Sequence, residues 1–213
     1  MMTSPIGSRL PHLVGGALCL DFANTCEGRG GPTPVEFVHD YADLVAWGWH
    51  AGAVDDRVAI RLTTSLTEPA GKAAAHHRAL DLRETLYRIF AAVARGEPPP
   101  SSDLATLSRA SADAMTHAVL VATQHGVIWS WRDEDGAFDR VLWPVIRSAT
   151  DLLTAGNLDR LKECPGGGDG PCTWLFLDTT KNGIRQWCSM ADCGGRAKAR
   201  RQTAKRRHAR QSV

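Results

Sequence analysis

Four of the six cysteines, Cys164, Cys172, Cys188 and Cys193, fall within one stretch of 30 residues. The gaps between them are seven, fifteen and four residues. Two cysteine pairs on two turns can place four thiolates at tetrahedral corners, the arrangement Zn²⁺ takes with sulfur at about 2.3 Å. In a reducing compartment such a cluster is more often a metal site than two disulfides. The gaps are looser than paired C-x-x-C motifs, so spacing alone leaves buried or redox-active cysteines as the alternative. Gly166, Gly167, Gly168 and Gly170 suit a tight first loop, and Gly194 suits a knuckle turn of positive φ.

Between the pairs, Thr173 to Asp178 reads as a strand. Thr179 to Gly183 reads as a tight Asn-Gly turn, and Ile184 to Trp187 as the returning arm. Trp174, Phe176, Trp187 and Met190 form the expected mini-core. It is too small to hold this part of the chain without a metal.

A basic arm follows the last cysteine. Residues 1–159 carry 13 Lys/Arg and 19 Asp/Glu, a net −6, whereas residues 160–213 carry 12 and 4, a net +8. Residues 194–213 hold 8 Lys/Arg and no acid. The arm has no helix breaker and contains Ala197, Ala199, Ala204 and Ala209, so it is helix-competent. At about 100° per residue, Arg196, Arg200, Arg207 and Arg210 share one face, opposite Lys198, Arg201 and Lys205. No apolar stripe remains to dock on a core or lie on a membrane. The usual partners of such an arm are nucleic acid or an anionic membrane surface, the latter disfavoured by the missing apolar face, and a solvated tail is the remaining reading.

The rest of the chain must carry this module. Apolar residues make up 43% and charged residues 23%, enough for a real core in a chain of 213. No apolar run reaches the roughly 18 residues a membrane helix needs. The start, MMTSPIGSRLPHLVGG, lacks a signal-peptide pattern, so a cytoplasmic location is expected. Leu13 to Thr25 reads as a strand or a buried helical turn ending near Asn24. Thr33, Pro34 and Glu36 resemble a capping box opening a helix that ends near Gly52. Further helices are expected from Asp55 or Asp56 to Glu68-Pro69, from about Lys72 to Arg95, from Ser101 or Ser102 onward, and from about Phe138 to Ala155. Val119 to Thr123 and Val127 to Trp131 are β-prone, and Asp133 to Gly136 is a turn. The fold class is therefore mainly α with a small antiparallel sheet (α+β). A small zinc-ribbon or knuckle-like hairpin and a basic helix follow. The boundary divides a body, 1–158, from a finger, 159–213.

The segment WLFLDTTKNGIRQWCSMADCGGRAKAR resembles the CGNR-type zinc finger, with its pattern W-x-F-x-D…N-x-x-R-x-W-C-S-M-x-x-C-G-N-R-x-K. The match falls on Trp174, Phe176, Asp178, Asn182, Arg185, Trp187, Cys188, Ser189, Met190, Cys193, Gly194, Arg196 and Lys198. Gly195 stands where the family has Asn. The body resembles the ABATE domain through its L-D-F-x-N-T motif, here Leu20, Asp21, Phe22, Asn24 and Thr25. Together the resemblance covers nearly the whole chain. It implies one structural Zn²⁺ on Cys164, Cys172, Cys188 and Cys193. It also implies a stress-induced transcription regulator of bacteria, with the finger as its nucleic-acid module.

Other chemistry has little support. There is no G-x-S-x-G, Walker loop or H-E-x-x-H, and a non-enzymatic protein is expected. Gly28 to Gly31 reads as a loop, His76-His77 as surface histidines, and Cys19 and Cys26 as ordinary apolar-site cysteines, with a redox sensor as the alternative. Asp21, Asn24 and Thr25 could tie down a turn by bonding backbone groups. Alternatively they could line a small-molecule effector pocket, with Trp47 and Trp49 beside it. The leading expectation is duplex DNA bound through Arg185, Arg196, Lys198, Arg200, Arg201, Lys205 and Arg207. One finger reads few base pairs, so a homodimer would help. The alternatives are an RNA-binding or protein-interaction module, with aromatics such as Trp174 stacking on single strands, and a ligand-binding body with the finger as adaptor.

Overall fold

The computed structural model describes residues 10–64, 69–132, 136–167 and 170–211, with side chains through Arg207. The expectations that rest on residues 1–9, Glu68, Asp133 to Asp135, Gly168 and the Arg210 side chain lie outside these residues.

The long helix α4 (Pro69–Ala94) forms the axis of the body. Its buried positions include Ala75, Ala79, Leu82, Leu86, Ile89 and Phe90. That spacing of three and four draws a single stripe along a 3.6-residue helix. Helices α1 (Leu18–Ala23), α2 (Tyr41–His50) and α5 (Ser101–Thr116) pack on this axis, α6 (Leu142–Ala155) packs on α1 and α5, and α3 (Asp56–Thr64) packs on α2. The Phe22 and Trp47 rings meet at 4.9 Å in the centre of the core. Tyr41 and Phe138 meet edge to face at 5.8 Å, a favoured aromatic geometry.

The expected helix start at Thr33 is corrected. Val35–Glu36 is instead strand β2, paired antiparallel with β1 (Cys26–Glu27). Helix α2 begins at Tyr41, where the Asp40 side chain accepts from the Asp43 N–H at 2.8 Å. Glu36 cannot serve a capping box because its carboxylate is taken by Arg83, at 2.6 and 2.8 Å. A half-buried ion pair across the fold outweighs the local capping pattern.

Strands β3 (Ala118–Thr123) and β4 (Gly126–Trp131) form a hairpin beside α6, close to the expected span. Strands β5 (Leu161–Glu163) and β6 (Leu175–Leu177) pair antiparallel, with Lys162 opposite Phe176. Alternation along this ladder divides its side chains. Leu161 and Leu175 join the body core, whereas Phe176 joins the separate cluster around the cysteines.

The expected partner of β6 is therefore corrected: β6 pairs with the segment before Cys164, and Ile184 to Trp187 is not a strand. The reason lies in two side chains. The buried Asp178 carboxylate accepts from Lys162 Nζ at 2.7 Å, the Thr180 N–H at 3.0 Å and the Arg185 N–H at 2.9 Å. Lys162 Nζ also donates to the carbonyls of Gly183 and Arg185. Those carbonyls thereby find their partners without a strand ladder. Helix α7 (Gly195–Gln211) ends the described chain, entered through a π-turn at Met190–Gly194.

Candidate metal centre

Cys164 follows β5 directly, and Cys172 precedes β6 by two residues. Cys188 ends the segment that Asp178 and Lys162 direct, and Cys193 lies in the π-turn. All four are buried, and their Sγ atoms lie within 4.8 Å of one another. Cys172 and Cys188 stand 3.7 Å apart, and Cys188 and Cys193 3.8 Å apart. A tetrahedron with metal–sulfur bonds of about 2.3 Å has edges of about 3.8 Å, so the donor set fits Zn²⁺. The centre holds one structural zinc.

The thiols depend on one another. Hydrogen bonds from the Cys172 and Cys188 thiols, with backbone N–H groups of Cys188 and Gly166, hold Cys164 far below its ordinary thiol value. Bonding to the Cys164 sulfur drives Cys172 and Cys188 upward. Four buried sulfurs cannot all ionise unaided, and a divalent cation removes that obstacle. The Trp174 backbone N–H donates to the Cys172 sulfur, and Arg196 Nη2 donates to Cys193 Sγ at 3.2 Å. Such outer contacts orient and tune metal ligands.

The first loop fits by close approach. A Cβ on Gly167 would sit 1.8 Å from the Cys193 carbonyl oxygen, so only glycine lets this loop touch the second turn. The expected positive φ at Gly194 is corrected, since that glycine is not among the left-handed residues. A Cβ there would meet the end of the exposed Met190 side chain, Sδ at 2.8 Å, which is free to move aside. Trp174 and Phe176 do line the mini-core, with Trp187 partly buried, but Met190 is 66% exposed and stands outside it.

The centre is sewn to the body. Asn24 Nδ2 donates to the Leu175 carbonyl at 2.8 Å, and the Leu175 N–H donates to Asn24 Oδ1 at 2.7 Å. The Gly28 N–H donates to the Cys172 carbonyl, and the Leu177 N–H to the Gly15 carbonyl. Asp21 accepts from the Gly15 N–H at 2.8 Å, and Thr25 Oγ1 donates to the Phe22 carbonyl at 2.8 Å. Burial raises the Asp21 carboxyl above its ordinary value, partly offset by the Gly15 and Val14 N–H groups. Thus Asp21, Asn24 and Thr25 each bond inward to backbone groups. No sequence signal tied Asn24 to a partner 151 positions away. Lys162, also outside the expected site, had no signal either.

A cleft of about 520 Å³ opens where body and finger meet. Val35, Phe37 and Trp174 wall it, Glu27 and Arg196 reach it, and Cys193 lies at its back. Arg196 Nη2 stands 3.8 Å from Glu27 Oε1.

The expected nucleic-acid residues separate into two groups. Arg185 donates to the carbonyls of Trp187, Leu177, Val14 and Cys188 and stacks on Phe176 at 4.3 Å. Its guanidinium binds finger to body. Lys198, Arg200, Arg201, Lys205 and Arg207 are exposed along α7, as is every side chain from Lys198 to Arg207. Arg196 stands between the groups, exposed but bonded to Cys193. Trp174, expected to stack on single strands, is only 6% exposed and cannot offer a ring face to a base.

Elsewhere, burial pushes the Cys19 thiol up to about 12, and it stays protonated as an apolar-site cysteine. One ring nitrogen of His76 lies 3.0 Å from the Val38 carbonyl oxygen. Among the described residues, no helix is long and apolar enough to cross a membrane.

Two family models match the chain. The ABATE model, described as "Putative stress-induced transcription regulator", matches residues 16–156. The CGNR zinc finger model matches residues 160–206. No curated protein matches the sequence.

Proposed function

This chain belongs to the ABATE family and ends in a CGNR zinc finger, and from that premise we propose that it regulates transcription by binding duplex DNA. The observation that carries this reading is the continuous exposure of α7 from Lys198 to Arg207, with no acidic residue in it. Lys198, Arg200, Arg201, Lys205 and Arg207 supply the cations, which contact phosphates and, at the arginines, guanine edges. Zinc fixes Cys193 at the root of the helix, so the charge leaves the protein from a rigid base. Arg196 links that root to the metal, and Arg185 positions the finger on the body.

The role is binding rather than catalysis. A small-molecule effector in the cleft beside Trp174 and Arg196 would touch body, ligand turn and helix root together. Two copies of the chain would double the DNA contact and raise specificity.

Competition shift assays with duplex DNA, single-stranded DNA and RNA across a salt series test the reading. Duplex DNA is expected to compete best, with affinity falling steeply as salt rises. Arg201→Ala with Lys205→Ala should lower the slope of log affinity against log salt by about 2. An unchanged slope would remove α7 as the interface, and preference for RNA would favour the single-strand alternative.

A further inference from the structure

The hairpin β3–β4 carries five large apolar side chains exposed to solvent. Leu120 is 62% exposed, Val127 66% and Ile128 54%, with Val121 and Trp129 also exposed. The register puts Leu120 opposite Trp129 and Ala122 opposite Val127 on one face. Val121 lies opposite Ile128 on the other. Both faces are therefore apolar toward the tip. At the base, the hairpin is tied down by Trp131 against Trp143 at 5.9 Å, and Arg147 covers Trp129 at 4.9 Å.

Two further facts say what would cover it. Each strand has only the other as a neighbour, so among the described residues both outer edges keep unpaired backbone donors and acceptors. A two-stranded ribbon alone is marginal in water, and a long apolar edge is a template for another strand. Residues 118–131 also contain no Asp, Glu, Lys or Arg. Edges that stay solitary are usually guarded by charge or proline, and this one has neither. A neutral strand meets its own copy without charge repulsion, whereas a charged partner would find no complement here.

We propose that this hairpin is the homodimer interface of the protein, with β3–β4 of one copy meeting β3–β4 of a second across a two-fold axis. The same surface then serves both subunits, as a two-fold contact requires. Antiparallel pairing of one edge with its own copy yields a four-stranded sheet, pairs the backbone groups of that edge, and sets the apolar side chains of the two copies beside one another on each face. This surface lies on the body, apart from α7, and does not depend on DNA binding.

The test is light scattering on the zinc-loaded full chain, treated with nuclease, at tens of micromolar in moderate salt. The expected mass is twice the 23.1 kDa of the chain. Leu120→Lys with Val127→Lys should give a species of half that mass, with unchanged circular dichroism and zinc content. These side chains are exposed, so the charges need not disturb the core. Ile184→Lys, at a 72% exposed finger residue, should remain dimeric. A wild-type monomer overturns the proposal and leaves the hairpin to a different partner. A dimer that survives both lysines overturns it too and moves the interface elsewhere.

Discussion

The body and the finger each bury a cluster of side chains, but the two clusters are held by different forces. The body cluster runs from Cys19 to Leu175 through helices α1 to α6. Its removal from water supplies the stability, at about 25 cal/mol per Å² of apolar surface. The finger cluster has six buried residues, and four of them are the cysteines. Trp174 and Phe176 alone bury too little to offset the chain entropy of the surrounding loops. The metal must supply the difference. The lesson is that β5–β6 serves two cores at once: Leu161 and Leu175 face the first, and Phe176 the second. The finger is thus an extension of the body fixed by zinc, rather than a bead on a linker.

The largest effect should come from removing the metal. Zinc in small fingers is worth about 10–16 kcal/mol near neutral pH. A chelator, or Cys188→Ser, should abolish amide-exchange protection around residues 164–194 while α4 keeps its own. Loss of protection in both regions together would show that the clusters are not separable. The converse change is Leu86→Ala in the fully buried stripe of α4, expected to cost about 2–5 kcal/mol of global stability. Zinc content at room temperature should stay at one per chain, measured by elemental analysis.

The seam between the clusters is the next place to strike. Asn24→Ala leaves the buried N–H and carbonyl of Leu175 without partners, at a cost of about 3 kcal/mol. Denaturant titration should show this loss, with exchange quickening in β6 before α4. Arg196→Ala removes the bond to Cys193 and should weaken zinc affinity by about 10- to 100-fold, read by competition with a chromophoric chelator. The smallest expected effect is a gain. A Cβ on Gly195 meets only the Met190 carbonyl oxygen, at 3.5 Å, so Gly195→Ala fits the first turn of α7. It should favour the helix by about 1 kcal/mol, visible as added ellipticity.

These contrasts also explain what could be read in advance. The stripe Ala75, Ala79, Leu82 and Leu86 announces α4 because helical periodicity is a local property of the chain. The four ligands are legible for a similar reason, since thiols clustered in a basic segment have few other uses. The capping box at Thr33 misled because Glu36 answers to Arg83, 47 residues away. The partner of β6 was hidden because Lys162 and Asp178 take over bonds that a nearer strand would have made. Arg185 read as a phosphate contact since its charge is visible in sequence, whereas the four carbonyls that occupy it are not. Long-range polar contacts, more than packing, separate expectation from structure here.

The central claim is that zinc fixes the finger and thereby aims α7 at DNA. Its most direct test is duplex affinity measured for the same chain with zinc bound, with zinc chelated, and with zinc restored. Binding should fall by at least tenfold on chelation, return on adding one equivalent of zinc, and weaken steeply with salt in the metallated state. Equal affinity with and without the metal would contradict the claim, because α7 would then bind as a free cationic tail.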